Sequence, residues 1–261
     1  MSWILLANDD GIDSPALFPF AAALTRIGGV RISVPDSERS WISKAITRYG
    51  EIGFVDASRD GVPAIAVSGY PADAVQIGVD YFDGAPDLVV SGINLGYNHG
   101  AGYVMSSGTI GAAIEAWELG IRSFAFSVGS VGDWEEWHRH AWSEQSSRDW
   151  DRLAELCVVL LEELIPLDLA GDVVNVNIPW DADEKTARRV ASVARVAYGS
   201  VHQRVGESTY RHDYREDFRV HEPLDGTDVG INNAGEIAIT PLMMPHAAQI
   251  SDEVRARIER P

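Results

Sequence analysis

The sequence predicts an α/β protein: a Rossmann-like, mostly parallel sheet with flanking helices, plus an extended C-terminal hairpin arm and tail. Three observations carry this. Short β-rich runs alternate with helical patterns through the first half, as happens when parallel strands are joined by crossover helices. Glycine, proline and polar clusters separate those runs. The 261 residues, 46% hydrophobic and 23% charged, have the composition of a folded chain long enough for a large domain with an appendage.

Residues 3–7 read as the first strand. After a turn at 8–13, Ser14 is placed to cap a helix with Pro15 at its first position, where the missing N–H does no harm. Leu17, Phe18, Ala21 and Leu24 share one face of that helix, and Gly28-Gly29 ends it. Residues 30–34 form the second strand, and 35–44 a polar loop. Residues 64–67 and 87–90 are further strands, with a helix over 71–79 between them. A helix over 107–119 closes at Gly120, and 122–126 is the next strand. Residues 129–150 hold four of the eight Trp, His138, His140 and many charges without a clean period, which reads as a surface excursion. Residues 150–165 form an apolar helix stopped by Pro166, and 173–178 a strand. Residues 187–222 alternate in the manner of hairpin arms, 236–240 is a last strand, and the tail to Pro261 is an amphipathic helix. The expected organisation is an α/β core over 1–186, and an arm, last strand and tail over 187–261 that cannot bury much alone and are expected to pair with another copy.

The formal net charge of −18 repels a polyanion, which excludes a nucleic-acid duplex as partner. No run of about 18 apolar residues exists and the first residues lack a basic start, so the expectation is a cytoplasmic protein with no membrane partner. The one cysteine, Cys157, lies in an apolar run and reads as a buried hydrophobe.

Ligands of open α/β sheets bind at the carboxyl ends of the strands, which directs attention to four loops. Asn8-Asp9-Asp10-Gly11 puts two carboxylates side by side after the first strand, where they need a cation or a solvated Asx turn. The loop 35–40 brings Ser40, and the stretch 91–96 brings Asn94. Together these side chains form an all-oxygen set suited to Mg²⁺ or Mn²⁺ rather than zinc. Ser106-Ser107-Gly108-Thr109 sits at a helix start, where free N–H groups and the helix dipole favour a phosphate; an ordinary N-cap is the plainer reading.

These segments resemble the SurE survival-protein family of metal-dependent nucleoside-monophosphate phosphohydrolases. The resemblance runs from Ile4 to Ser127 through Asn8-Asp9-Asp10-Gly11-Ile12, Pro35-Asp36 with Glu38-Arg39-Ser40, Gly69 with Pro71-Ala72-Asp73, residues 86–96, and Ser107-Gly108-Thr109. Residues 175–179 and 235–242 are similar to family segments less tightly. The resemblance implies Asp9, Asp10, Ser40 and Asn94 as ligands of one divalent cation, and Ser107, Gly108 and Thr109 as the phosphate turn, with Ser106 beside it and Asn98 in the substrate pocket. It also implies a dimer or tetramer with exchanged C-terminal segments. The chain departs from the family where Trp41-Ile42-Ser43-Lys44 replaces small residues, at Tyr70, where a threonine is common, and in the length of 129–150.

The expected activity is a 5′-nucleotidase, extending to 3′-monophosphates, that hydrolyses a phosphate monoester with water activated on the cation. Catalysis is expected to rest on Asp9, Asp10 and Asn94. Direct attack by Asp9 on phosphorus is the other chemical route, although Gly11 stands where aspartyl-phosphate enzymes carry a second acid. A non-catalytic nucleotide- and metal-binding sensor is the alternative function. A dinucleotide oxidoreductase fits poorly, because no G-x-G-x-x-G follows residues 3–7. His138 and His140 read as a solvated pair, His99 as a neighbour of the pocket, and Arg39, Lys44 and Arg48 as solubilising charges.

Overall fold

The computed structural model describes residues 2–82, 84–130, 132–213, 218–245, 247 and 249–259. Residues 214–217 of the expected arm and the last two residues of the expected tail lie outside them. In chain order the elements are β1 (Trp3–Ala7), α1 (Leu17–Leu24), β2 (Gly29–Pro35), β3 (Phe54–Asp56), β4 (Ala64–Val67), α2 (Pro71–Tyr81), β5 (Leu88–Leu95), α3 (Gly100–Ser106), α4 (Gly108–Glu118) and β6 (Ser123–Gly129). There follow α5 (Trp134–Ala141), a 3₁₀ turn (Glu144–Ser146), α6 (Ser147–Leu164), β7 (Val173–Pro179), β8 (Arg188–Val190), β9 (Val196–Tyr198), β10 (His202–Arg204), β11 (Tyr210–His212), β12 (Phe218–Val220), α7 (Asp228–Asn233), β13 (Ile237–Leu242) and α8 (Asp252–Ile258).

Among the described residues a nine-stranded sheet runs β3-β4-β2-β1-β5-β6-β7-β13-β8. The strands from β4 to β7 are parallel, while β3 and β13 pair antiparallel with β4 and β7. The chain builds outward from β1 through β2 to β4, then crosses to the other side of β1 and continues through β5, β6 and β7. That reversal leaves a crevice beyond the carboxyl ends of β1 and β5, where such sheets bind ligands.

Alternation along β1 supplies both faces of the core. Ile4 and Leu6 pack with Phe20 of α1, Phe124 and Phe126 of β6, and Trp150 of α6. Trp3, Leu5 and Ala7 pack with Val75 of α2 and Ala112 and Ala116 of α4. The arm is built of short pairs, β10 with β11 and β9 with β12.

Several expectations need correction. Helix α1 starts at Leu17, because the carbonyl of Ser14 closes a turn on the Leu17 N–H at 3.2 Å and the Ser14 hydroxyl caps nothing. The stretch 91–95 is not a loop: β5 continues through it, with a register shift against β6 between Ser91 and Asn94. Residues 129–150 are not an irregular loop: they are largely helical, with residues 132–136 exposed and a few side chains turned into the core. Asp133 Oδ1 accepts the Glu136 N–H at 3.0 Å to cap α5, and Trp137 and Trp150 are buried. The spacing of Trp134, Trp137 and Ala141 is helical, but Glu, His and Arg between them mask the stripe. Helices α3 and α7 and edge strand β3 had no reading in the sequence.

Candidate active site

The turn after β1 is built by Asn8, not by the acids. Asn8 Nδ2 donates to the Gly11 carbonyl at 3.0 Å and its Oδ1 accepts the Gly11 N–H at 3.1 Å. Gly11 has φ +86°, and a Cβ there would lie 2.8 Å from the carbonyl carbon of Ser37. A side chain is therefore excluded twice, by conformation and by the close approach of the β2 loop. The two loops are stitched further by Ile12 N–H to the Pro35 carbonyl at 3.0 Å and Arg39 N–H to the Asp9 carbonyl at 2.7 Å.

With Asn8 holding the turn, Asp9 and Asp10 are left for the crevice, and both are buried. Asp10 Oδ2 accepts the Leu95 N–H at 3.1 Å, which ties it to the end of β5 beside Asn94. Asn94 Nδ2 donates to the Gly96 carbonyl at 2.7 Å, so the donor end of its amide is spent and its Oδ1 is the ligand end. Asp9 Oδ1 accepts from Thr109 Oγ1 at 2.5 Å. A Cβ on Gly108 would sit 2.8 Å from both Cβ and Oδ2 of Asp9, so the first residue of α4 must be glycine for the helix start to reach the carboxylate.

The electrostatics follow from the burial. Burial raises Asp9 to about 6, opposed by hydrogen bonds from the Thr109 hydroxyl and backbone. Asp10 is pushed well above the usual carboxylate range by burial and then by the charge of Asp9. Glu38 adds negative charge to both. Neither acid is in an ion pair among the described residues, and no three of His, Cys, Asp and Glu converge there to hold a metal. Two buried carboxylates with neutral oxygens around them are a donor set for one hard cation.

Ser40 lies on the rim of the same crevice, with its hydroxyl donating to Glu38 Oε1 at 2.7 Å rather than to an aspartate. Ser107 caps α4, its Oγ accepting the Ile110 N–H at 3.1 Å. Ser106 ends α3 and faces the arm: its Oγ bonds the Gly102 carbonyl at 3.0 Å and Tyr198 Oη at 2.7 Å. Asn98 sits one layer behind, its Nδ2 on Thr109 Oγ1 at 3.3 Å and Ser127 Oγ at 2.9 Å. Its backbone is gripped by Asn175 and Asn177. His99 is buried, with Nδ1 on Asn232 Oδ1 at 2.8 Å and its ring stacked on Tyr97. Lys44 is committed to Glu115 and Glu118, and Arg39 to Asp36.

Two neighbours of the site had no role in the sequence reading. Glu38 stands two residues before Ser40 in the same loop, and that proximity was the available signal. Helix α5 places Trp134 against Gly96, where a Cβ would lie 3.1 Å from Trp134 Cη2 and 3.8 Å from Asn94 Nδ2. In the same helix, burial lowers His138 while Glu38 opposes the shift, and His138 Nε2 accepts the Trp142 indole N–H at 3.1 Å. No sequence signal links α5 to Asn94.

The family described as Survival protein SurE matches residues 4–202. A protein named 5′-nucleotidase SurE from Methanocella arvoryzae is 32% identical over 249 residues, covering 94% of this chain and 93% of its own. One of the same name from Methanopyrus kandleri is 35% identical over 246 residues, covering 92% and 90%. The crystal structure of the SurE protein from Aquifex aeolicus matches with a TM-score of 0.71 at 25% identity, over 98% of each chain. With its sheet, its β1–β5 crevice and the loops around it in place, this chain belongs to the SurE family.

Proposed function

We propose that the chain is a divalent-cation-dependent 5′-nucleotidase, a phosphoric monoester hydrolase that releases phosphate from nucleoside 5′-monophosphates and also accepts 3′-monophosphates. The name of its relatives supports the reaction class. One observation carries the reading: Asp9 and Asp10 are buried together at the switch point of the sheet, with no cationic side chain paired to them among the described residues, against the start of a helix. Like charges buried together are costly unless a counter-ion neutralises them.

In this reading Asp9, Asp10, Asn94 Oδ1 and, from the rim, Ser40 hold one Mg²⁺ or Mn²⁺. The bound cation supplies Lewis acidity and the positive charge that a chain of net charge −18 otherwise lacks for an anionic substrate. Ser107, Gly108 and Thr109 present the start of α4 to the phosphoryl oxygens, where N–H groups and the helix dipole favour anions. Thr109 also orients Asp9, and Asn98 fixes Thr109 from behind. Ser106 anchors the arm beside the cradle. Holding the ester between two fixed groups removes much of the orientational entropy of the reaction.

The same reading makes the protein a cytoplasmic homodimer or homotetramer that associates through residues 187–261, with a small phosphate monoester as its ligand. Light scattering that finds only monomer at working concentration removes the association. No helix among the described residues is long and apolar enough to cross a membrane. The deciding experiment is phosphate release from adenosine 5′- and 3′-monophosphate by chelator-treated protein, before and after Mg²⁺ or Mn²⁺ is added. Restored release is the expected result; nucleotide binding without release in every metal would leave a sensor instead.

A further inference from the structure

The loop that follows Ser40 carries a tryptophan, and its surroundings are unusual for a surface side chain. The Trp41 ring centroid lies 4.9 Å from Tyr198, 5.3 Å from His212 and 5.7 Å from Tyr103. The ring planes meet at 81°, 58° and 60°, so none of the three is stacked parallel on it. These partners come from α3 and, far along the chain, from the arm strands β9 and β11. Trp41 is nonetheless 37% exposed.

Its backbone has φ +62°, a left-handed conformation that a residue with a Cβ adopts only when the surroundings enforce it. The enforcement is visible. Ser43 N–H donates to the Ser106 carbonyl at 2.9 Å, which pins the loop to the elbow between α3 and α4. A Cβ on Gly111 would fall 2.5 Å from the Ser43 carbonyl oxygen, so the loop also lies directly on α4. Tyr198, edge-on to Trp41, bonds Ser106 one residue before the helix cap at Ser107. The aromatic wall thus adjoins both Ser40 and the start of α4.

We infer that Trp41, walled by Tyr103, Tyr198 and His212, is the platform on which the nucleobase of the substrate stacks, and that it sets the preference for nucleotides over phosphate esters without a base. The inference rests on the nucleotidase reading and deepens it. A flat aromatic ring is the ligand chemistry an aromatic wall selects, because every base offers a π face and stacking tolerates any base. A phosphate held at the start of α4 leaves its nucleoside to extend toward the rim, where Trp41 stands next to Ser40.

The test compares kcat/KM for adenosine 5′-monophosphate and for ribose 5-phosphate in the parent, Trp41→Gly and Trp41→Phe, all with Mn²⁺. Glycine adopts φ +62° without strain, so Trp41→Gly removes the ring while keeping the loop conformation. The expected result is an about tenfold fall in the nucleotide-to-ribose-phosphate ratio in Trp41→Gly, carried by KM, with most of the ratio retained in Trp41→Phe. An unchanged ratio in Trp41→Gly, or a parent that does not discriminate, overturns the platform. Release from neither ester by the parent removes the nucleotidase reading instead. The platform is then judged by equilibrium dialysis, in which the parent must bind adenosine 5′-monophosphate about tenfold tighter than Trp41→Gly does; equal binding overturns it.

Discussion

Thr109 Oγ1 donates to Asp9 Oδ1 at 2.5 Å, joining the end of β1 to the first turn of α4 across 100 residues of sequence. The bond fixes the rotamer of the acid and stabilises its charged form. Thr109→Val keeps the shape and removes the donor. Loss of a hydrogen bond that orients a ligand typically costs 10- to 100-fold, so kcat/KM should fall about tenfold. Asp9→Asn, which removes the ligand charge itself, should lower turnover at least about a hundredfold. Steady-state phosphate release checks both, and near-normal activity in Asp9→Asn would take Asp9 out of the metal site.

The same carboxylate makes the cation-free protein pH-sensitive. Burial raises Asp9 from 3.8 to about 6, so the folded state binds the proton more tightly than the unfolded chain does. The stability linked to this group is fully present below about pH 4 and is lost as pH rises through about 6. Asp9→Asn removes the charge that must be buried above pH 6. In chelator at pH 7 it should therefore melt roughly 3 °C or more above the parent, with the difference vanishing near pH 4. Mn²⁺ should close the gap by stabilising the parent alone. Calorimetric scans at the two pH values with and without Mn²⁺ measure this; equal melting at pH 7 in chelator would mean Asp9 carries no desolvation cost.

At Gly108 two effects oppose each other. An alanine inside a helix is worth about 1 kcal/mol over glycine, whereas forcing a methyl into a filled site costs roughly 1–3 kcal/mol. A Cβ here would meet Asp9 at 2.8 Å, and the carboxylate can yield only by leaving its bond to Thr109. Gly108→Ala should change the melting temperature little while lowering kcat/KM by about tenfold or more. Parent-like activity would show that Asp9 has room to move.

The loops that frame the crevice were legible because a parallel sheet sends the ends of all its strands to one edge. That the acids after β1, the loop of Ser40 after β2 and Asn94 on β5 lie at one edge of the sheet could be read from strand order alone. The bond between Thr109 and Asp9 could not, since nothing local to either residue encodes a partner 100 positions away. Nor could the continuation of β5, because Gly92 at φ +136° interrupts the apolar pattern of a strand that the bulge against β6 nevertheless keeps paired. Ser14 and Pro15 carried a helix-start signal that the turn at Gly11 overrode. The arm was legible as extended pairs, but its docking beside the cradle through Tyr198 and Ser106 depends on contacts that sequence spacing does not contain.

The tryptophans of 129–150 show how composition misleads when burial is decided by the fold. Charged and aromatic residues without a clean period suggested a surface excursion, yet Trp150 is fully buried, its Nε1–H donating to the Ala141 carbonyl at 2.8 Å and its ring edge-on to Trp180 at 5.0 Å. The indole therefore clamps the end of α5 onto α6. Trp150→Ala deletes the largest fully buried side chain among the described residues and leaves the Ala141 carbonyl with only the Ser146 hydroxyl, at 2.8 Å, as donor. Such truncations cost about 3–5 kcal/mol, most of it lost burial and packing. Denaturant unfolding should lose this amount. Trp134→Ala, at a position 37% exposed, should lose under about 1 kcal/mol. A Trp150→Ala loss no larger than that of Trp134→Ala would return the segment to the surface.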